Sequence, residues 1–258
     1  LKKLGLDSIG EVDITLWEEF VFNIKNPKDV VDIALIGKYV ELKDSYKSIS
    51  ESFIHASSFS RCKVNLHWIH SEKLNTYTIE DELKNMDGIL VAPGFGNRGI
   101  EGKIHGVRYA RENKIPFLGI CLGMQVSVIE YARNVLHYKD ANSTEMDAKT
   151  TFPVIDLMED QKTVSTMGGT MRLGSCKCDL KKGSIVHAVY GSDQINERHR
   201  HRYEFNNQFL ESFESSGMKA SGVNPETGLV EIIEIPDHPW FVGVQFHPEY
   251  KSTVASPH

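Results

Sequence analysis

Two short segments hold residues whose types and spacing can do covalent chemistry. In Gly119-Ile120-Cys121-Leu122-Gly123 a thiol sits between two glycines, at the junction of an apolar run and a stretch with helical periodicity. This is the pattern of a nucleophile elbow with cysteine in place of serine. The turn lifts the thiol out of the backbone and sets it at a helix N-terminus, where free N–H groups favour the thiolate. The amide of Leu122 would face the same space as one half of an oxyanion hole. Near the end of the chain, Val244-Gln245-Phe246-His247-Pro248-Glu249 closes an apolar run. In extended backbone His247 and Glu249 project from one face, and Pro248 holds that backbone out of helix. They suit a general base and the carboxylate that orients it. The chemistry implied is thiolate attack on a carbonyl, with His247 protonating the leaving group.

The elements that must position these groups can be read along the chain. Strands are predicted at Val30–Ile36, Lys63–Ile69, Gly88–Val91 and Pro116–Ile120. Helices are predicted at Ser45–Phe59, Lys103–Asn113 and Gly123–Val135, with a short helical turn at 79–85. A glycine-rich loop, Pro93-Gly94-Phe95-Gly96-Asn97-Arg98-Gly99, follows the third strand. Alternating strands and helices on short connections imply a mainly parallel central sheet flanked by helices, an α/β fold. In such sheets ligand sites lie at the carboxyl ends of the strands, where the loop and Cys121 both fall. The second half reads as β-rich, with candidate strands at 162–167, 171–178, 184–189, 218–223, 229–235 and 241–245. Residues 1–29 read as a linker, despite the apolar cluster Trp17, Phe20, Val21 and Phe22, and residues 30–258 as one domain.

Composition bounds the partners. The chain has 258 residues, 40% of them hydrophobic and 25% charged, enough for a sizeable core. Its net charge of −6 argues against bulk nucleic-acid binding, and the basic stretch Arg198-His199-Arg200-His201-Arg202 is too short to change that. No apolar run approaches the roughly 20 residues of a membrane span, and the opening residues do not read as a secretory leader. Four cysteines without paired spacing suggest reduced thiols and a cytoplasmic setting. The chain opens on Leu1 in mid-pattern, which suggests a fragment of a longer polypeptide.

The elbow Gly-Ile-Cys-Leu-Gly-Met-Gln, the Pro-Gly-Phe-Gly loop and the terminal Gln-Phe-His-Pro-Glu together resemble the class I (triad) glutamine amidotransferases. Further blocks narrow the resemblance: Gly37–Leu42, Asp44–Ser48, Ala141–Glu145, Gly169–Gly174 and Arg198–Glu204 look like the glutaminase domain of the CTP synthase family. The resemblance implies a flavodoxin-like fold with an additional β-rich second half, and a triad of Cys121, His247 and Glu249 hydrolysing L-glutamine through a thioester. It implies oxyanion donors at Gly94 and Leu122, and a substrate pocket of Gly94, Leu122, Gly123, Met124, Gln125, Glu145, Arg202 and Tyr203. Lys38, Lys47 and Arg172 match positions linked to GTP, a regulatory nucleotide.

Glutamine hydrolysis itself would need no cofactor or metal. ATP and Mg would serve only a separate synthetase domain, which aminates UTP with the ammonia and makes the full-length protein a C–N bond-forming ligase of pyrimidine biosynthesis, expected to be a homotetramer. One departure stands out: the family loop usually reads Val-Pro-Gly-Gly-Phe-Gly, whereas this chain has Val91-Ala92-Pro93-Gly94-Phe95-Gly96. Pro93 has no N–H and cannot be an oxyanion donor.

Other motifs carry less. The Gly169–Ser175 stretch lacks the Lys-Ser/Thr of a phosphate loop, and Cys176-Lys-Cys178 with His187, His199 and His201 has no standard zinc spacing. Two rival readings remain to be tested: a cysteine peptidase or chaperone-like relative on the same fold, disfavoured by the paired His247 and Glu249, and a non-catalytic module that binds nucleotide or filament neighbours, disfavoured by the full triad pattern.

Overall fold

The structure, a computed structural model, describes residues 13–157 and 171–258 together with Lys3. The first half alternates as the periodicity predicts. Its strands are β1 (Asp29–Gly37), β2 (Cys62–His70), β3 (Gly88–Val91) and β4 (Phe117–Ile120). Its helices are α1 (Thr15–Lys25), α2 (Lys47–Ser60), α3 (Ile79–Leu83), α4 (Ile100–Asn113) and α5 (Leu122–Asn134). Beyond it lie β5 (Asn142–Ser143), β6 (Pro153–Leu157), β7 (Arg172–Leu180), α6 (Ile185–Tyr190), β8 (Gln194–His201), β9 (Tyr203–Phe205) and α7 (Leu210–Ser216). Three more strands, β10 (Lys219–Val223), β11 (Val230–Glu234) and β12 (Phe241–Val244), complete the order.

One nine-stranded sheet runs β2-β1-β3-β4-β12-β11-β10-β7-β8. The β2-to-β12 half is parallel and the β12-to-β8 half antiparallel, so the central sheet is mixed rather than mainly parallel. A three-stranded sheet, β5-β6-β9, lies apart from it. Side chains alternate between two apolar clusters, one on each face. Ala34, Ile36, Ile89 and Val91 join α4 and α5 in one, while Leu35, Leu90, Val242 and Val244 meet Ile49 of α2 in the other. Phe117 and Phe241 stack with centroids 4.5 Å apart, tying β4 to β12. No described helix is long and apolar enough to cross a membrane.

The strand expected at 184–189 needs correction, and other stretches are placed as follows. Residues 184–189 form a helix, not a strand. Ser184 accepts a hydrogen bond from the His187 amide and Gly191 closes the C-terminus at φ 63°, so capping overrides the β-preference of Ile185, Val186 and Val189. The basic stretch 198–202 is mostly strand β8, with Glu197, His199 and His201 turned inward and Arg198 and Arg200 outward. Within the stretch read as a linker, α1 is helical and lies on α2, where the Ser58 hydroxyl donates to the Phe20 carbonyl. The candidate strand 162–167 lies outside the described residues.

The antiparallel half buries charge. Arg172 Nη2 stands 2.7 Å from Glu231 and its Nη1 3.4 Å from Glu204. His199 Nδ1 meets His201 Nε2 at 2.8 Å, and these rings stand 3.5 Å from Glu231 and 3.4 Å from Glu204 respectively. Burial pushes Glu204 up to about 8 and Glu231 up to about 7, against the pull of Arg172. Burial also pushes His199 down to about 3 and His201 well below its ordinary value. The carboxyls, raised by folding, contribute stability that is complete below about pH 4.5 and lost as pH rises through about 7 to 8. The histidines act oppositely, their contribution present above about 6.5 and lost on acidification. Glu204→Gln should therefore lose less melting temperature between pH 6 and pH 9 than the unchanged protein, by calorimetry. Parallel slopes would mean that Glu204 does not titrate there.

Candidate active site

Cys121 joins β4 to α5 with φ 54° and ψ −104°, a conformation that costs a non-glycine residue about 1–3 kcal/mol. The surroundings impose it. Its N–H donates to the Val244 carbonyl at 2.7 Å, and its own carbonyl accepts from the Gln125 amide at 3.2 Å. The flanking glycines make the close approach possible. A Cβ on Gly123 would lie 2.3 Å from the Val91 carbonyl oxygen, and one on Gly119 would lie 2.6 Å from the Gly123 carbonyl carbon.

Register brings the second segment to the thiol. β12 runs parallel to β4 with Val244 opposite Ile120, so Cys121 and the chain leading to His247 leave the sheet at the same edge. His247 Nδ1 is 2.8 Å from Glu249 Oε1, which leaves Nε2 for the sulfur. The Tyr250 ring stacks on the imidazole at 4.7 Å and 5°, and the His247 amide donates to Arg198 O at 2.8 Å. Burial opposes charge on His247, but Cys121 and Glu249 outweigh it and push the imidazole up to about 10. A buried histidine raised this far, between a thiol and a carboxylate, is equipped to hold a proton for a leaving group.

The other expected residues are placed as follows. Gly94 packs against Leu122, and among the described residues the amides of neither donate to an acceptor. Gly96 donates to Glu145 at 2.9 Å. Tyr203 lies near Glu145 and Arg202: burial raises its hydroxyl, Glu145 adds to that, and Arg202 opposes it. Gln125 is buried and donates to Tyr203 O at 2.9 Å and Gln245 Oε1 at 3.2 Å. Gly123 and the Met124 side chain are buried in the packing of α5.

Lys38, Lys47 and Arg172 have partners in three different places. The Lys38 ammonium is buried and donates to the Phe95 carbonyl of the glycine-rich loop. Lys47 is exposed and paired with Glu51 at 2.6 Å. Arg172 is held by Glu231 and Glu204. Among the described residues, no group of three or more His, Cys, Asp or Glu could hold a metal ion.

Four contributors escaped the sequence reading. Gln245 donates toward Cys121 Sγ at 3.8 Å, and the sulfur faces the Arg200 carbonyl at 3.9 Å. Tyr250 stacks on His247, and Lys103 donates to the Ala92 carbonyl at 2.6 Å. A glutamine within an otherwise apolar strand ending and a lysine on the Ile100–Ile104–Val107 face of α4 were available signals. A carbonyl such as that of Arg200 leaves none.

Comparison with known proteins agrees with this geometry. Residues 41–258 match the family model of class-I glutamine amidotransferases. A CTP synthase of Christiangramia forsetii is 65% identical over 258 residues, all of this chain and 47% of that protein. One of Flavobacterium psychrophilum is 62% identical over 258 residues, all of this chain and 48% of that protein. The chain thus spans about half the length of these curated relatives. The solved glutaminase domain of Trypanosoma brucei CTPS, with bound acivicin, is 38% identical with a TM-score of 0.82, covering 88% of this chain and 89% of that one. The fold, the elbow and these matches agree: the chain belongs to the class-I glutamine amidotransferase family, among the glutaminase domains of CTP synthase.

Proposed function

We propose that this chain hydrolyses L-glutamine with Cys121 as nucleophile, His247 as acid and base, and Glu249 as the orienting carboxylate. The observation that carries the reading is His247 held by Glu249 at 2.8 Å and raised to about 10 by the sulfur and that carboxylate. The thiolate attacks the side-chain carboxamide, and the amides of Gly94 and Leu122 receive the oxyanion. His247 gives its proton to the departing amine, so ammonia leaves and a γ-glutamyl thioester remains. Water then loses a proton to His247 and attacks the thioester, releasing glutamate and the thiol. Glu145 and Arg202, beside Tyr203, take the amino and carboxylate ends of the substrate, with Gln125, Gly123 and Met124 shaping the pocket.

The ammonia would serve a synthetase half of the same polypeptide, joined through the residues before β1, which aminates UTP to CTP using ATP and Mg. The homotetrameric assembly, the cytoplasmic setting and activation by GTP through Lys38, Lys47 and Arg172 belong to the same reading. It is supported by the relatives' length and name. For GTP, the burial of Lys38 and Arg172 leaves Lys47 as the cation most open to solvent.

Cys121→Ala should lower glutamine hydrolysis by at least about 10³-fold, as loss of a triad nucleophile does. In the complete protein it should leave synthesis from added ammonia intact. Glutamate release at the unchanged rate would sink the assignment. The rival readings separate on a glutamine-shaped electrophile: an adduct on Cys121, blocked by saturating glutamine, is expected by mass spectrometry, and no adduct would favour a non-catalytic module.

A second prediction concerns pH. The alkaline limb of kcat/KM for glutamine should lie near pH 10, where His247 loses its proton. Because Glu249 raises that value, Glu249→Gln should move the limb to lower pH. A limb that stays in place would show that Glu249 does not set the charge on His247.

A further inference from the structure

Lys103 lies in the first turn of α4 with its side chain fully buried, at 0% exposure. A lysine in that position needs a counter-charge or tends to give up its proton. Its Nζ donates to the Ala92 carbonyl at 2.6 Å, and among the described residues no carboxylate forms an ion pair with it. The charged groups that act on it are Lys38, at the end of β1, and Cys121, at the start of α5. Arg98, Glu145 and Glu72 act on Lys38 instead. Burial and then Lys38 push the Lys103 ammonium down, Cys121 pushes the other way, and the amine settles at about 7. Among the groups that act on Lys103, the one that offsets its buried charge is therefore the Cys121 sulfur.

The placement in the glycine-rich loop is equally specific. A Cβ on Gly94 would stand 3.8 Å from Lys103 Nζ and 3.4 Å from Lys38 Cε, so both side chains lie against Gly94. Lys103 holds the carbonyl two residues before Gly94, and Lys38 holds the carbonyl one residue after it. Between these anchors stands Pro93, whose φ is fixed and which offers no amide of its own.

We propose that Lys103 is a positioning residue for the thiol chemistry: by holding the Ala92 carbonyl it aims the Gly94 amide at Cys121, and its buried charge balances the thiolate and the oxyanion that follows. This rests on the reading of Cys121 as nucleophile.

Two variants in the complete protein separate the roles. Lys103→Gln keeps a donor for the Ala92 carbonyl and removes the charge, whereas Lys103→Met removes both at similar length. The readouts are the pH dependence of Cys121 alkylation by iodoacetamide, and kcat and KM for glutamine. In Lys103→Gln the alkylation midpoint should move up by about one pH unit or more, the usual effect of losing a nearby opposite charge. Its kcat should fall about 10- to 100-fold with KM changed less than about threefold, and Lys103→Met should fall further. An alkylation profile and kcat matching the unchanged protein within about twofold in Lys103→Gln would overturn the proposal. If that variant does not fold, the Met variant tests donor and charge together, and an alkylation profile and kcat within about twofold of the unchanged protein there would likewise overturn the proposal. A shifted alkylation profile in a protein that hydrolyses no glutamine would uphold the coupling and count against the substrate reading instead.

Discussion

The pairing of β12 with β4 is the constraint on which the site depends. Cys121 and His247 are separated by more than a hundred residues, and only the parallel register that sets Val244 opposite Ile120 sends both strand ends out at one edge. The Cys121 amide closes that register by bonding to the Val244 carbonyl, which also fixes the positive φ of the elbow. The same bond thus aligns the sheet and holds the strain. Its cost is offset by packing at Phe117 and Phe241 and by α5, whose first turn approaches β3 closely because Gly123 has no side chain. A slip of one residue would turn Val242 and Val244 to the opposite face and carry His247 away from the thiol.

Around this junction the protein buries an unusual density of charge, and the two halves of the sheet handle it differently. In the antiparallel half Arg172 sits between two carboxyls and two neutral histidines, so the charge is shared and the cost of burial appears as raised carboxyl pKa values. In the parallel half Lys103 has a carbonyl and a thiol in place of a carboxylate. The first network braces β8, whose Arg198 and Arg200 carbonyls meet the His247 amide and the Cys121 sulfur. The second braces the loop that carries Gly94. Each buried cluster therefore braces one segment of the chain around Cys121.

Much of this was legible in the residues, and the failures have physical causes. The βα alternation and the elbow could be read because apolar periodicity and glycine spacing are local. The His247–Glu249 pair was read from its spacing but on the wrong backbone: Pro248 opens a short 3-10 turn, Pro248–Tyr250, instead of extending the strand, and that turn still brings Glu249 to His247 Nδ1. β8 was missed because three of its four inward-facing residues are Glu197, His199 and His201, with only Ile195 apolar: the alternation has period two but little hydrophobic amplitude. The strand expected at 184–189 is a helix because one serine hydroxyl and one left-handed glycine decide its ends, and neither registers in a hydropathy pattern. The mixed character of the sheet was not legible, since strand direction is set by which connections cross over.

Lys103 shows where a local rule and the site diverge. On the α4 face that carries Ile100, Ile104 and Val107, an apolar residue would satisfy the packing without the desolvation that an ammonium brings. The helix bears a charge at that position, and the groups available to it are a loop carbonyl and the sulfur of the elbow. A residue that breaks the binary pattern beside the loop carrying Gly94 is better explained by what it holds there than by helix packing. The strained φ of Cys121 has the same logic, since a relaxed turn would pack as well and would not present the thiol. Stability is lost at both positions, and at both the loss falls within reach of the sulfur.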